Sequence, residues 1–406
     1  MTLRRLLIAG GGGSFVVPIV RSLVSSLGIS QAGAADTSTV TVGDTTFVVS
    51  VKDTGHIFVT SYNSSTHTST TPFDLGTTTA IDGVIHNAPS IVVRASDQRL
   101  IVAFCNQFAT QISQRISTNA LDATAWDAAT LGATGDGYYF GHLMQLTDGT
   151  LYNFPENGAH GATRYIPILK STDGGVNWTL TVSQLIKPRT TTAIYWRTIT
   201  DGTKIHILTT DTDRTAADAA VYHFYLESDV LYAGDGSALA GSAPYFANAG
   251  TLVQSTALGS AMPGGPAIDS SGQPAVVVQC YDSSVPQTLY RMARFNGSTW
   301  TTYAIDGSAG LVQSNHYNTL CSPVKNDPNV VWYPKKVGSY FEMFRARSGD
   351  GGATWVSTQI TSGSTLDNLY PDTPVDAGPL EAVWGYGTVA DSAWASFSFD
   401  LHGYGT

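Results

Sequence analysis

An eight-residue pattern occurs twice in this chain and limits what the rest of it can build. Ser171 to Trp178 reads Ser-Thr-Asp-Gly-Gly-Val-Asn-Trp, and Ser348 to Trp355 reads Ser-Gly-Asp-Gly-Gly-Ala-Thr-Trp. The residue types describe a tight turn: an Asp side chain can accept from turn amides, paired glycines supply positive φ, and a Trp packs beneath. Looser echoes run from Ser117 to Trp126 and from Phe295 to Trp300. Trp126 and Trp178 are about 52 residues apart and Trp300 and Trp355 about 55, which is the period of a repeated all-β unit of four strands.

The S-x-D-G-G-x-x-W pattern resembles the Asp-box, or BNR repeat, of sialidase-type and related β-propellers. The resemblance implies a structural staple between two strands of a blade, away from the ligand face. Dividing the chain after its N-terminal segment by the period gives about seven four-stranded blades, with six as the alternative.

Composition agrees with an all-β fold. The 406 residues are 42% hydrophobic and 13% charged, and 41 glycines stand beside 19 tyrosines and 8 tryptophans. A formal net charge of -10 argues against nonspecific nucleic-acid or anionic-membrane binding, so a polyanionic ligand would need a local basic patch. Cys105, Cys280 and Cys321 share no CxxC spacing, and the scattered His142, His160, His206, His223 and His316 have no metal-ligand spacing, so neither metal nor cofactor is expected. Asp211-Thr-Asp213-Arg214 has part of a calcium loop but lacks its Gly and trailing Glu, and reads as a solvated turn.

Residues 1–35 form a separate N-terminal segment, and 36–406 read as one propeller domain. Two readings of the segment stay open. Arg4-Arg5 and the Ala-Gly-Ala-Ala before Asp36 suit a secretory signal, but the glycine run, Pro18 and Arg21 interrupt its apolar part. Alternatively, Pro18 opens and Gly28 closes a short helix whose Ile19, Leu23, Val24 and Leu27 stripe docks on another protein subunit, as an anchor outside the propeller. Alternation in Ser38 to Thr60 and Ala393 to Leu401 predicts ring closure by strands from both chain ends.

From Asp82 onward the chain resembles the BNR-repeat propellers that include ulvan lyases and related polysaccharide lyases. The similarity rests on His86-Asn-Ala-Pro-Ser, Arg115-Ile-Ser-Thr-Asn, Tyr138 to Leu146 with Thr-Asp-Gly149, Ile194-Tyr-Trp-Arg197, Val221-Tyr-His-Phe-Tyr225, and both Asp-boxes. The resemblance implies His and Tyr for proton transfer and Arg for the uronate carboxylate. It points to His86, Tyr139, Tyr195 and Arg197 as the catalytic set, with Phe140 the alternative to Tyr139. Asn87, Asn106, Arg164 and Trp196 are the expected substrate contacts.

Two positions depart from the family pattern. Cys105-Asn106-Gln107 stands where a second His is expected, and Pro155-Glu156-Asn157 where Tyr-Arg is expected. The reading is therefore a polysaccharide-recognising propeller, a glycan-binding or receptor-recognition part of an assembly such as a phage particle, extracellular or on a virion surface. The alternative is a lyase cutting beside a uronic acid by β-elimination.

Overall fold

β-Branched and aromatic side chains make Thr45–Val51 a strand, and it is buried along nearly its whole length. A computed structural model describes residues 19–24, 38–51, 55–77, 88–105, 109–132, 134–135, 137–139, 141–158, 163–190, 193–212, 218–282, 287–306, 321–376, 378–389 and 397–405. These residues form a seven-bladed propeller of small antiparallel sheets.

The blades follow chain order. Blade 1 runs from Thr39–Val42 through Thr45–Val51 to His56–Asn63, with Thr68–Ser69 and Phe73–Thr77 both paired to its third strand. Blade 2 is Ser90–Val93, Arg99–Phe104, Ser113–Ala120 and Thr130–Leu131. Blade 3 is Leu143–Gln145, Leu151–Asn153, Ile166–Ser171 and Thr179–Lys187. Blade 4 is Trp196–Thr200, Ile205–Thr210, Val221–Glu227 and Val230–Ala233. Blade 5 is Ser260–Ile268, Pro274–Asp282, Gln287–Phe295 and Trp300–Asp306, and blade 6 is Ser322–Val324, Asp327–Val337, Tyr340–Arg347 and Val356–Gln359.

Blade 7 joins the two ends of the chain. Asp367–Asp372, Leu380–Val389 and Phe397–Gly405 are completed by Ile19–Val24, which pairs antiparallel with the C-terminal strand from Ile19 opposite Gly405 to Val24 opposite Leu401. Closure by both termini was expected, but the N-terminal contribution is Ile19–Val24, while the strands from Thr39 onward open blade 1. The helix expected after Pro18 is therefore corrected over these residues, and they belong to the propeller instead of lying outside it. β-Branched Ile19, Val20 and Val24 suit an edge strand, and Leu23 is buried with Val48, Tyr62, Leu369 and Leu380 in the seam between blades 7 and 1. The remainder of residues 1–35 lies outside the described residues.

No single centre holds the core. Each seam between neighbouring blades has its own apolar cluster, such as Met144, Phe154, Trp196 and Phe224 between blades 3 and 4, or Trp332 and Trp384 between blades 6 and 7. Near the axis, Thr41 N donates to Val375 O at 2.9 Å and Val375 N to Thr39 O at 3.2 Å, tying the last blade to the first.

Both Asp-boxes occupy the turn between third and fourth strands, in blades 3 and 6. Asp173 Oδ1 accepts from Asn177 N at 2.9 Å and Asp350 Oδ1 from Thr354 N at 2.9 Å, while Ser171 and Ser348 accept from Gly175 N and Gly352 N. Gly174 and Gly175 sit at φ of 72° and 85°, the left-handed region that the turn requires. The looser echoes fall at the same turn of blades 2 and 5. There Asp122 Oδ1 accepts from Thr124 N, and Asn296 Oδ1 accepts from Thr299 N. No helix among the described residues is long and apolar enough to cross a membrane.

Candidate functional site at the starts of the inner strands

Asp-boxes and first hairpins share one face of the ring, so the opposite face carries the starts of the inner strands and the loops between second and third strands. Among the described sequence-predicted residues, Tyr195 and Arg197 lie at the start of the blade 4 inner strand, toward that second face.

In blade 4, Tyr195 immediately precedes the inner strand and is fixed through its backbone. Its N–H donates to Thr210 Oγ1 at 2.9 Å, and its carbonyl accepts from Thr210 N at 2.8 Å. Arg197 follows two residues later, so Tyr195 and Arg197 share a side of the strand. Trp196 points the other way. Its ring packs in the seam between blades 3 and 4, 5.3 Å from the His142 ring, and its indole N–H donates to Phe154 O at 3.2 Å. Trp196, expected as a sugar contact, is corrected to a core residue: alternation sends its side chain away from the face.

Arg197 is 6% exposed and lies on the innermost strand, toward the axis and not the rim. Its Nη1 donates to Trp196 O at 3.2 Å. Burial pushes up the thiol of Cys321, at the start of the blade 6 inner strand, and the Gln279 side chain and then the Arg197 guanidinium partly offset it. Gln279 Nε2 is 3.9 Å from Cys321 Sγ, so blades 4, 5 and 6 bring Arg197, Gln279 and Cys321 to one region of the axis. Sequence reading missed this grouping, because no motif links the three.

A two-stranded ribbon stands between blades 2 and 3. Tyr138 pairs with Asn157 and Tyr139 with Glu156. Glu156 is fully buried, and Arg164 Nη1 lies 2.9 Å from its Oε1. Arg164 was expected to touch substrate; here it neutralises the carboxylate that departs from the family pattern. Burial first, and then the negative charge of Glu156, push the Cys105 thiol well above its ordinary range, so it stays protonated. The side chain of Tyr139 lies outside the described residues, as do His86, Asn87, Asn106 and Phe140.

Asp211, expected in a solvated turn, is buried: its Oδ2 accepts from Arg189 Nε at 2.8 Å and its Oδ1 from Ala220 N at 2.9 Å, while Asp213 and Arg214 lie outside the described residues. Among the described residues, no group of three or more His, Cys, Asp or Glu side chains is placed to hold a metal ion.

Comparison with known proteins fits this geometry. Residues 45–307 match the model of the BNR repeat-containing family. The chain belongs to that family. Among curated proteins none matches the sequence. As a structure, this BNR-repeat propeller is similar to an ulvan lyase, a polysaccharide lyase solved bound to -[GlcA(1-4)Rha3S]-, with a TM-score of 0.74, 15% identity, and 94% of this chain and 95% of that chain covered. It is also similar to the polysaccharide lyase Uly1, with a TM-score of 0.60, 12% identity and coverage of 94% and 92%. A puromycin hydrolase matches with a TM-score of 0.52 at 11% identity, covering 93% of this chain and 54% of that chain. At these identities the likeness is one of fold, and one propeller architecture hosts unlike chemistries.

Proposed function

We propose that this propeller recognises an acidic polysaccharide on the face formed by the starts of its inner strands, and that it binds the glycan without cutting it. The observation that carries the reading is Arg197, a cation on the innermost strand, on the same side as Tyr195. A buried guanidinium suits a uronate carboxylate, because it stays charged and offers a planar pair of donors. The fold likeness to an ulvan lyase solved with a glucuronate-containing ligand supports the ligand class.

Binding is favoured over cleavage by what stands beside it. Elimination needs a base for the C5 proton and an acid for the leaving oxygen. Cys105 replaces the second His expected from the resemblance, and its raised pKa removes it as a base. Glu156 is already engaged by Arg164. The lyase alternative retains His86, Tyr139, Tyr195 and Arg197 as its set.

The two readings separate in one experiment. Glucuronate-containing polysaccharides are titrated by calorimetry while absorbance follows unsaturated uronate products. Binding reads as saturable heat without absorbance, and Arg197→Ala should weaken it by about tenfold or more, the loss of one charge-assisted contact. Rising absorbance, abolished in His86→Ala, establishes the lyase instead. Neither heat nor absorbance across the panel removes both.

An extracellular or particle-surface setting belongs to the same proposal, because a polymeric ligand is met there. The finer proposal is a receptor-recognition part of a larger assembly such as a phage particle. Sedimentation of the full-length chain tests it, and a lone monomer that joins no particle would count against it.

A further inference from the structure

The inner strands have a second end. Val93, Gln145, Thr200 and Ile268 are the last residues of the inner strands of blades 2, 3, 4 and 5, and Lys325 directly follows that of blade 6. Together they line a cavity of about 280 Å³ on the Asp-box face of the ring. The lining reaches along the blade 4 inner strand from Thr200 back to Thr198, next to Arg197, so the cavity extends up the axis from the Asp-box end toward the glycan face.

Its walls differ in kind from those of a sugar site. Met144, Ile199, Ile268 and Val375 are aliphatic, and no aromatic ring is among the lining residues. Such a surface buries a hydrocarbon and offers nothing for a pyranose to stack on.

The polar groups are few and specific. Lys325 is 7% exposed, and its nearest carboxylate is Asp372, with Nζ 3.7 Å from Oδ1, too long for a hydrogen bond. Asp372 is satisfied elsewhere: Oδ2 accepts from Ser38 Oγ at 2.5 Å and Thr39 Oγ1 at 2.8 Å, and Oδ1 accepts from Thr373 N at 2.9 Å. The ammonium therefore has a counter-charge, but among the described residues no acceptor at hydrogen-bond distance. An ammonium with a counter-charge but no acceptor in reach can take an anion that enters the cavity. Gln145 repeats the pattern from another blade. Its Oε1 accepts from Ala95 N at 3.1 Å, while its buried Nε2 donates to nothing among the described residues. Asp376 also lines the cavity, and burial raises its carboxyl above the usual carboxylate range.

We propose that this cavity is a second ligand site, for a small aliphatic monocarboxylate whose head takes the Lys325 and Gln145 donors while its chain lies among Met144, Ile199 and Ile268. Size agrees, since a cavity of about 150 Å³ admits benzene, so roughly twice that volume admits an acyl chain of several carbons with its carboxylate. The proposal is independent of the glycan reading.

The test uses the full-length protein with methyl-labelled Met and Ile, followed by NMR during titration with sodium hexanoate, hexan-1-ol and hexylammonium. Hexanoate should shift the Met144, Ile199 and Ile268 methyls saturably, and the alcohol and the amine should bind at least about tenfold more weakly. Lys325→Met should bring hexanoate down to the level of the alcohol, and Lys325→Arg should keep the preference. The proposal is overturned by the absence of saturable shifts up to about 10 mM, by equal affinity for the three compounds, or by undiminished hexanoate binding in Lys325→Met. If Lys325→Met does not fold, the three-ligand comparison on the unaltered protein decides. No glycan is present in the assay, so its failure leaves the reading of the other face intact.

Discussion

Glu156 and Arg164 form an ion pair, Nη1 to Oε1 at 2.9 Å, in which the carboxylate is wholly buried and the guanidinium only partly so. Its energetic role is asymmetric. Removing the cation strands a charge, whereas removing the charge strands only an amphipathic side chain. Arg164→Ala should cost about 3 kcal/mol in urea unfolding, and the double variant Glu156→Gln/Arg164→Ala should recover much of that loss. Equal losses in single and double variants would mean that the pair does not support the ribbon beside the glycan face.

The Asp-box carboxylates give an acid signature. Hydrogen bonds from the Thr354 side chain and amide hold Asp350 at about 2, below its ordinary 3.8. A depressed folded pKa contributes stability that is complete above the unfolded value and lost as pH falls toward the folded one. Melting temperature should therefore decline more steeply between pH 4 and pH 2 in the parent than in Asp350→Asn. At neutral pH, Asp173→Ala should cost about 1–2 kcal/mol through the turn amide and Asn177 contacts it loses.

A second pH dependence comes from blade 4. His223 is fully buried with its Nε2 3.0 Å from His206 Nδ1, and burial, with the neighbouring His206, pushes its pKa well below 6.5. The unfolded chain takes up a proton near pH 6.5 that the folded chain refuses, so stability falls as pH drops below that value. His402, also pushed down by burial, adds to the slope. Unfolding free energy between pH 7 and 5 should flatten in His223→Leu. An unchanged slope would assign the effect elsewhere.

Leu23 is the buried side chain of the strand that completes blade 7. Leu23→Ala should destabilise by roughly 2–5 kcal/mol, and Val20→Ala, at an exposed position, by far less. Equal and small effects would show that Ile19–Val24 does not hold the seam between blades 7 and 1.

The fold was legible because the Asp-box is local chemistry: Ser, Asp, two glycines and Trp act within eight residues, and their recurrence carries the period. Ile19–Val24 was not, since Ile19, Val20, Leu23 and Val24 fit a helical stripe as well as a strand, and the arbiter is a C-terminal partner that spacing cannot reveal. In the site, Tyr195 and Arg197 could be placed on one side by alternation. The same alternation removes Trp196 from the expected substrate contacts. Arg164 was legible as a cation near the site but not as the partner of Glu156, which depends on how the ribbon folds back. Lys325 gave no signal, because a lysine after Ser-Pro-Val is remarkable only once four other blades surround it.

The pairing of Ile19 with Gly405 also orders events in time. During synthesis Ile19–Val24 emerges before blades 1 to 6 and its partner Phe397–Gly405 after them, so the strand waits unpaired until those blades are made. Until then Val48 and Tyr62 of blade 1 have no Leu369 or Leu380 to cover them. Loop-closure entropy grows only slowly with length, so the late contact is not severely penalised in equilibrium stability, yet so non-local a pairing is slow to find. Closure of the ring thus comes only after the intervening blades exist, and a chain still lacking Phe397–Gly405 presents an uncovered apolar seam where the closed ring has none.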